Sequence, residues 1–272
     1  MSKGQQKAIA ADHIFDGEAV LRDHAVVVED GLIVAIAPRR ELPLAMPVHT
    51  MPAETWLAPG FVDIQVNGGG DVLFNDEPTP TGIARIVGAH RRFGTTSLLP
   101  TLISDTPDKM RSALDAVQDF ASTGSGVLGI HLEGPFLSPE KPGAHDPAMI
   151  RRPGPHDLEL LAAPRPMATV VTVAPEVLPD GFVARLAASG VRVALGHSMA
   201  TYAQTKRALE EGVTGFTHLF NAMRPLGSRE PGPIAAALET SAAWFGMIVD
   251  GTHVDPAMLR LALRGQAHPI LV

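Results

Sequence analysis

The 272-residue chain contains no cysteine, one tyrosine, two tryptophans and only 5% aromatic residues. The absence of cysteine excludes disulfide bonds, thiolate metal sites and cysteine nucleophiles, so any metal ion must be held by His, Asp or Glu side chains. The chain also lacks an apolar run of the ~18 residues that a membrane helix needs. Its start, MSKGQQKAIAADHIF, lacks the charged-then-apolar order of a signal peptide. We therefore expect a cytoplasmic protein without a membrane partner.

Basic charge is scarce as well, because 22 Lys and Arg residues stand against 29 Asp and Glu residues, a formal net charge of −7. This balance gives no general attraction for nucleic acid, and we expect no nucleic-acid partner. The net charge does not exclude an anionic small-molecule ligand, since a few local donors can hold a phosphate. What the chain does contain is 45% hydrophobic residues, with 26 Gly and 24 Pro spread along it. This composition is typical of a compact globular protein with many turns.

The sequence pattern changes near Trp56. Before it, short apolar runs at residues 25–28 and 32–36 flank Asp30-Gly31, a type I′ hairpin signal. After it, apolar strands alternate with helical segments, of which the clearest starts at Thr106-Pro107 and repeats apolar residues at helical spacing. We expect a small β domain at residues 1–56 and a second domain at residues 57–272.

Eight apolar segments of the second domain predict β-strands. Because these strands alternate with helices, they predict parallel βαβ units. Eight such strands favour a closed (β/α)₈ barrel of the α/β class. An open doubly wound sheet remains the alternative, although no Gly-x-Gly-x-x-Gly fingerprint follows the first strand. The predicted strands are Gly60–Val66, Thr95–Thr101, Val127–Glu133, Ala168–Ala174, Val191–Gly196, Gly215–Phe220, Trp244–Val249 and Pro269–Val272.

Polar residues stand at the ends of five of these strands, where a barrel places its functional groups. Glu133, His197 and His218 come from three separate strand ends. One carboxylate with two imidazoles is a ligand set that catalytic Zn²⁺ uses, and it leaves a coordination position for water. The strand-end residues are Asp63, Gln65 and Asn67, then His131, Glu133 and Gly134, then Gly196, His197 and Ser198, then Thr217 to Asn221, and finally Asp250 to His253.

Six longer segments carry a family resemblance. They are PGFVDIQVNGGG, GTTSLLPTLIS, GIHLEGPFLSPEKPGAH, VALGHSMATYAQ, FTHLFNAMRPLGSREPG and IVDGTHVDP. In this order they resemble the N-acetylglucosamine-6-phosphate deacetylases of the amidohydrolase superfamily, over nearly the whole chain. The resemblance implies a TIM-type barrel of the metal-dependent hydrolases with a small β-sandwich made from both chain ends. It also implies hydrolysis of N-acetylglucosamine 6-phosphate to glucosamine 6-phosphate and acetate, in amino-sugar catabolism.

The resemblance implies a role for each matching residue. Glu133, His197 and His218 are the expected ligands of one divalent ion, with Zn²⁺ expected and Fe²⁺, Mn²⁺ or Co²⁺ suited to the same set. His145 is expected to stabilise the oxyanion. Arg229 and His253 are expected to hold the phosphate, with Arg229 reaching the neighbouring subunit's site in a homodimer. The full set of implied substrate contacts is Ala144, His145, Asn221, Ala222, Arg229, Asp250, Gly251, Thr252 and His253.

Other histidines and amides complete this assignment. Many superfamily relatives have His-x-His at the end of the first strand and bind two metals, whereas Gln65 and Asn67 stand there in this chain. Neutral amides are poor ligands beside imidazole, so we expect a single metal. The histidines without an assigned role are predicted to be surface or loop residues: His13, His24, His49, His90, His156 and His268.

The pattern departs from the family at the catalytic acid/base, which the resemblance places in an aspartate after the eighth strand. The sequence stops at Val272, so we expect a chain cut within that strand, without the aspartate and the C-terminal part of the sandwich. Little activity is then expected, because a positioned acid/base contributes ~10²- to 10⁴-fold. Two alternatives remain: deacetylation of N-acetylgalactosamine 6-phosphate, and a non-catalytic barrel that keeps the metal and sugar-phosphate site.

Overall fold

The protein is described by a computed structural model that covers residues 5–124, 126–265 and 268–271. The chain forms two compact units, residues 1–61 and 62–272, whereas the sequence predicted a boundary after Trp56. Residues 1–4 of the predicted first domain and Val272 of the predicted eighth strand lie outside the described residues. Among the described helices, none has the length and apolar character needed to cross a membrane.

The first unit consists of short strands in two sheets. Its strands are β1 (Lys7–Ala10), β2 (His13–Phe15), β3 (Val20–Arg22), β4 (His24–Glu29), β5 (Leu32–Pro38), β6 (Val48–Thr50) and β7 (Trp56–Leu57). One sheet has the order β5-β4-β1-β6 and the other β3-β2-β7. The predicted hairpin is confirmed: β4 and β5 are antiparallel, and the turn residues Asp30 and Gly31 have φ of 49° and 82°. A type I′ turn requires positive φ at both positions.

The second unit contains an eight-stranded sheet whose strands follow one another in chain order, from β8 to β17. Parallel pairings join each neighbour from β11 to β17. A small antiparallel pair, β9 (Gly68–Gly69) and β10 (Val72–Leu73), follows β8. The sheet strands are β8 (Phe61–Val66), β11 (Thr95–Ile103), β12 (Gly129–Glu133), β13 (Ala168–Val173), β14 (Arg192–Leu195), β15 (Val213–Phe216), β16 (Trp244–Met247) and β17 (His268–Leu271).

Helices follow most of these strands, as barrel alternation requires. They are α1 (Pro80–Arg91), α2 (Pro107–Ala121), α3 (Asp157–Ala162), α4 (Phe182–Ala188), α5 (Tyr202–Glu211), α6 (Gly232–Glu239) and α7 (Pro256–Ala262), with a 3₁₀ turn at Pro175–Val177. The predicted helix start is confirmed in α2, where the Thr106 hydroxyl accepts the Lys109 N–H. Met110, Leu114 and Val117 are buried on its inner face, and their contacts anchor the helix to the sheet.

The sheet is curled. Ile64 of β8 and Trp244 of β16 pack against one apolar cluster, formed by Leu99, Val170 and Ala194. In a flat sheet, strands six neighbour steps apart would lie about 29 Å from each other, at about 4.8 Å a step. Contacts through this cluster are easier in a curled sheet than in a flat one. The strands also follow one another in chain order without the reversal of a doubly wound sheet, which supports the barrel.

The sixth predicted strand is too long, because β15 ends at Phe216 and residues 217–220 form a turn. His218 and Phe220 have φ of 36° and 79°, a conformation that ends a strand. The Leu219 N–H donates to the Gly246 carbonyl at 2.7 Å, and the Leu219 side chain is fully buried. Leu219 and Phe220 predict a strand because they are apolar, but the structure places them in a turn.

Candidate active site

Three strand ends bring one carboxylate and two imidazoles together. Glu133 is the last residue of β12, and His197 and His218 each follow their strand by two residues. Glu133 Oε1 lies 3.2 Å from His197 Nε2 and 2.9 Å from His218 Nε2. The two Nε2 atoms lie 2.9 Å apart. The predicted ligand set therefore meets at a single point, with all three residues buried.

The donor atoms of this cluster fit a divalent cation. Four-coordinate Zn²⁺ with ligand distances of about 2.0–2.2 Å separates its ligand atoms by roughly 3.3–3.6 Å, a few tenths of an ångström more than the 2.9–3.2 Å observed among Glu133, His197 and His218. Because the His197 Nδ1–H donates to the Lys141 carbonyl at 2.8 Å, the Nε2 atom of the neutral ring presents a lone pair to the cluster. Lone pairs that converge in a buried site are stabilised by a cation between them.

Charge inside the cluster favours the ionised carboxylate. Burial acts to raise the pKa of Glu133, but the imidazoles of His145, His197 and His218 outweigh it and hold the pKa well below its ordinary value. Burial acts to lower the pKa of His218, and the hydrogen bond and charge of Glu133 reverse this and raise it. Glu133 is therefore an anionic ligand at neutral pH.

Gln65, in β8, contacts the carboxylate of the cluster. Its amide Nε2–H donates to Glu133 Oε1 at 3.1 Å, on the oxygen that faces the two histidines. The amide thus orients the carboxylate and offers the cluster a donor instead of a ligand lone pair. This contact supports the expectation of a single metal.

His145 lies beside the cluster with its Nε2 atom 3.7 Å from Glu133 Oε2. Its Nδ1 atom receives the Ser104 N–H at 3.1 Å and contacts the Ser104 hydroxyl at 2.8 Å. A ring nitrogen that accepts a backbone N–H carries no proton, so the neutral ring carries its proton on Nε2. His145 can therefore donate a hydrogen bond from Nε2, as an oxyanion partner must.

His131 was predicted among the strand-end groups, yet it lies inside the barrel. Its Nδ1–H donates to the Ile64 carbonyl at 2.9 Å, and its Nε2 accepts the Thr172 hydroxyl at 2.7 Å. The Thr217 hydroxyl then donates to Thr172 Oγ1 at 2.7 Å. Burial lowers the pKa of His131, so the ring is neutral, as this donor and acceptor pattern requires. This row of bonds joins β8, β12, β13 and the residue after β15.

Several of the predicted substrate contacts border the cluster. A Cβ on Gly143 would lie 3.0 Å from His197 Cε1 and 4.0 Å from the Ala222 side chain. The segment that carries Ala144 and His145 therefore passes next to the metal ligands and to Ala222. The Asn221 Nδ2 atom is buried without a hydrogen-bond partner among the described residues. An unpaired buried donor of this kind points to a bound group.

The predicted phosphate residues are placed differently. The Asp250 carboxylate accepts the N–H groups of Thr252 and His253 at 2.9 Å each and pairs with the His253 ring at 2.6 Å. These backbone bonds and the His253 ring hold the pKa of Asp250 far below its ordinary value. Gly251 is exposed in the same bend, and Arg229 is exposed with no ion pair to any residue that the structure describes. No contact recorded among the described residues joins this bend to the cluster.

The histidines without an assigned role do not join the cluster. All six are at least partly exposed, and His90, at the end of α1, hydrogen bonds to the Gly68 carbonyl at 2.9 Å. The prediction of surface or loop positions is right about exposure, but five of the six lie in strands or in α1, and only His156 lies outside the helices and strands. By contrast, sequence reasoning missed Ser104, which follows β11 directly and fixes the His145 ring. Its position at a strand end was the signal that could have identified it.

Comparison with known proteins agrees with this geometry. The family model described as the NagA composite domain matches residues 8–51. The chain is 39% identical over 270 residues to an N-acetylgalactosamine-6-phosphate deacetylase of Shewanella sp. (strain ANA-3), covering 95% of this chain and 68% of that protein. It is 35% identical over 244 residues to the N-acetylglucosamine-6-phosphate deacetylase of Haemophilus influenzae, covering 89% of this chain and 64% of that protein.

A solved structure shows the same likeness. The crystal structure of N-acetylglucosamine-6-phosphate deacetylase from Pasteurella multocida matches with a TM-score of 0.92 and 32% identity, covering 98% of this chain and 71% of that chain. Fold and site together define a metal-dependent hydrolase with an amidohydrolase-type barrel. The chain belongs to the family of the N-acetylglucosamine-6-phosphate and N-acetylgalactosamine-6-phosphate deacetylases. It spans about two thirds of the length of the two relatives named above.

Proposed function

We propose that this protein hydrolyses the acetamide of N-acetylglucosamine 6-phosphate to glucosamine 6-phosphate and acetate. The observation that carries the proposal is the buried convergence of Glu133, His197 and His218 beside the Nε2 atom of His145. Amide hydrolysis develops negative charge on the carbonyl oxygen and requires a water nucleophile. The cluster offers a cation site and a hydrogen-bond donor at one place, which suits both requirements.

Glu133, His197 and His218 would hold one divalent ion, and we propose Zn²⁺. When bound, the ion supplies Lewis-acid polarisation of the amide carbonyl and a lowered pKa for a bound water. Gln65 orients the carboxylate of Glu133 through its amide, and the Lys141 carbonyl fixes the His197 ring. These two contacts keep the ligand atoms aimed at a common point without a change in geometry during the reaction.

His145 would donate its Nε2–H to the acetamide oxygen as negative charge develops there. Its tautomer is held by Ser104 before substrate arrives, so no reorganisation is needed at the moment of reaction. The amine that leaves must gain a proton. The family resemblance assigns this proton transfer to an aspartate after the eighth strand, and the 272-residue sequence does not contain that residue.

The sugar phosphate would be held by groups around the cluster. Asn221 and Ala222 border His197, and the unpaired Asn221 amide supports a hydrogen bond to a sugar hydroxyl. Arg229 and His253 are exposed. Arg229 presents two parallel donors that suit phosphate oxygens, and the His253 ring, paired with Asp250 through Nδ1, would bind them through Nε2. We also propose that Arg229 serves the neighbouring subunit in a homodimer, that the remaining contacts come from Ala144 and the 250–253 bend, and that the enzyme acts in the cytoplasm.

The second candidate is the same reaction on N-acetylgalactosamine 6-phosphate. It is favoured by the 39% identity with the Shewanella enzyme, which is named for that sugar. The two substrates differ only in the configuration at C4, which does not alter the bond that is broken. Relative kcat/KM values for the two sugars therefore decide between the candidates.

The test measures binding and turnover with the same metal-loaded protein. Calorimetry gives the affinity for each sugar phosphate, and acetate is quantified after incubation with each. We expect slow acetate release, because the sequence lacks the expected acid/base aspartate. His197→Ala should remove nearly all of it, and His156→Ala, at a side chain that is 90% exposed, should leave it unchanged. Tight binding of both sugar phosphates without acetate would overturn the proposal and favour a non-catalytic sugar-phosphate protein.

A further inference from the structure

The segment directly after His197 is bound on two sides by charged residues from other parts of the barrel. Glu176, in the 3₁₀ turn after β13, accepts the Ser198 hydroxyl at 2.7 Å and the Met199 N–H at 2.5 Å. Arg224 donates to the Met199 carbonyl at 2.7 Å and 2.9 Å and to the Ala200 carbonyl at 3.1 Å. Glu176 thus accepts from donors of residues 198 and 199, and the Arg224 side chain donates to the carbonyls of residues 199 and 200.

These bonds maintain a backbone conformation that a histidine adopts only at a cost. His197 has φ of 47°, in the left-handed region, where residues other than Gly are uncommon. Such a conformation persists only when the surrounding structure determines it from several directions. The Ser138 N–H donates to the His197 carbonyl at 2.9 Å, and Glu176 binds the next two residues. The ring direction of His197 therefore depends on how residues 198 and 199 are held.

The same segment is bonded to the loop that follows His218. The Ser198 N–H donates to the Ala222 carbonyl at 3.0 Å, and the Arg224 N–H donates to the Ser198 carbonyl at 2.8 Å. Ala222 is also left-handed, with φ of 48°. The two histidine loops form one bonded unit, and Glu176 attaches this unit to a third strand end.

We propose that Glu176 is a positioning residue for metal binding, which holds the His197 loop through its bonds to Ser198 and Met199. The inference rests on the metal site of the proposed function. Both carboxylate oxygens of Glu176 are engaged by the loop, and its side chain also lines a cavity of about 240 Å³ with Val183 and Ala208. Glu176 therefore acts on the metal through the backbone, in the way that partners of ligands typically tune affinity by 10- to 100-fold.

The experiment measures Zn²⁺ affinity by competition with a chromophoric chelator, using metal-free protein. Glu176→Ala removes both bonds and is expected to raise the Zn²⁺ Kd about 10-fold or more. Glu176→Gln is expected to restore most of the affinity, because its amide oxygen can accept the Met199 N–H while its NH₂ group donates to Ser198 Oγ. Glu159→Ala is the matched control, since the Glu159 side chain is 80% exposed in the first turn of α3.

Each outcome bears on the proposal. A Glu176→Ala protein that binds Zn²⁺ as tightly as the Glu159→Ala control would overturn it, and so would a Glu176→Gln protein no better than Glu176→Ala. Melting of the metal-free variants identifies a merely structural role, which would lower Tm without changing the Kd of folded protein. Ser198→Ala, which removes one donor, is expected to raise Kd about 3-fold and serves if Glu176→Ala does not fold. Zn²⁺ binding without acetate release would contradict the proposed function and leave this test intact.

Discussion

The metal-ligand cluster and the bend at Asp250–His253 are held in opposite ways. Side chains of the cluster are between 4% and 8% exposed, and their bonds join strand ends up to 85 residues apart. The Asp250 and His253 side chains are 43% and 58% exposed, and they are bonded to each other within three residues. One region is fixed by the barrel, and the other is fixed by its own local turn.

This difference matches two different chemical tasks. Groups that act on the scissile amide must be within a fraction of an ångström of a productive geometry, which long-range bonds between rigid strands provide. A phosphate is a diffuse anion with several oxygens, and exposed donors on a loop can adjust to it. We expect substitutions in the cluster to change metal binding and rate, and substitutions at the bend to change substrate affinity.

The strongest test of this contrast is His197→Ala. We expect it to abolish tight metal binding and to lower acetate release by about 10³-fold, since a metal supplies several kcal/mol of charge stabilisation. His253→Ala, the matched exchange in the bend, should retain its metal. Elemental analysis after dialysis checks both, and unchanged metal content in His197→Ala would contradict the ligand assignment.

His145→Asn tests the hydrogen-bond donor beside the cluster independently of the metal ligands. Loss of one oxyanion donor lowers kcat by about 10²- to 10³-fold, while the metal content should stay unchanged because His145 is not a ligand. Ser104→Ala should show a smaller loss in the same direction. In a His145→Asn background Ser104→Ala should have no further effect, and an additive loss would show that Ser104 does not act through His145.

Asp157→Asn tests the anchoring of the loop that carries His145. Asp157 accepts two bonds from Arg151, at 2.6 Å and 2.7 Å, and one from the Gly154 N–H at 2.6 Å. Breaking these charge-assisted bonds should lower the free energy of unfolding by about 1.5–3 kcal/mol. Asp180→Asn, at a side chain that is 90% exposed, should change it little. Urea unfolding of both variants measures the difference.

The effect of Asp157 depends on pH with a definite sign. Burial acts to raise the pKa of Asp157, but Arg151 and the Gly154 N–H outweigh it and lower the pKa. The unfolded state therefore binds a proton at a higher pH than the folded state, so the stabilisation is present above pH ~4 and is lost as pH falls through the folded pKa. The wild-type advantage over Asp157→Asn should shrink accordingly, and an advantage that grows on acidification would contradict this account.

The smallest effects are expected at the exposed region. Arg229→Ala and His253→Ala should each raise KM by about 10-fold while kcat changes less than about 2-fold, because phosphate binding is equally strong in substrate and transition state. Added salt should weaken wild-type binding, since exposed charges are screened. A fall in kcat at unchanged KM for either variant would contradict the division between the two regions.

Sequence reasoning located the cluster because parallel strands that end in His or Glu must bring those residues to one edge of a barrel. It could not place His131, which lies two residues before Glu133 but hydrogen bonds across the interior to Ile64 and Thr172. It also missed Ser104 and Glu176, whose partners lie 41 and 22 residues away. Such partnerships depend on register between strands, which periodicity does not encode.

The length of the sixth strand could not be read from hydropathy either. Leu219 and Phe220 are apolar and buried or nearly so, but the chain turns there so that His218 can face Glu133. Burial is common to strands and to turns that pack into a core, so an apolar run alone does not distinguish them. The turn at residues 217–220 brings His218 to Glu133, and hydropathy does not encode this contact.

With a neutral His131 ring, the row of bonds from Thr217 through Thr172 and His131 to the Ile64 carbonyl has one arrangement of protons. The carbonyl can only accept, and reversing either of the other two bonds would set two acceptors or two donors against each other. In protein redesign, Thr217, Thr172 and His131 should therefore be exchanged together. Exchanging Thr172 alone leaves polar groups of both His131 and Thr217 unpaired, whereas exchanging all three for apolar residues of matching shape leaves only the Ile64 carbonyl without its donor. A library that varies these positions singly would reject changes that the barrel accepts together.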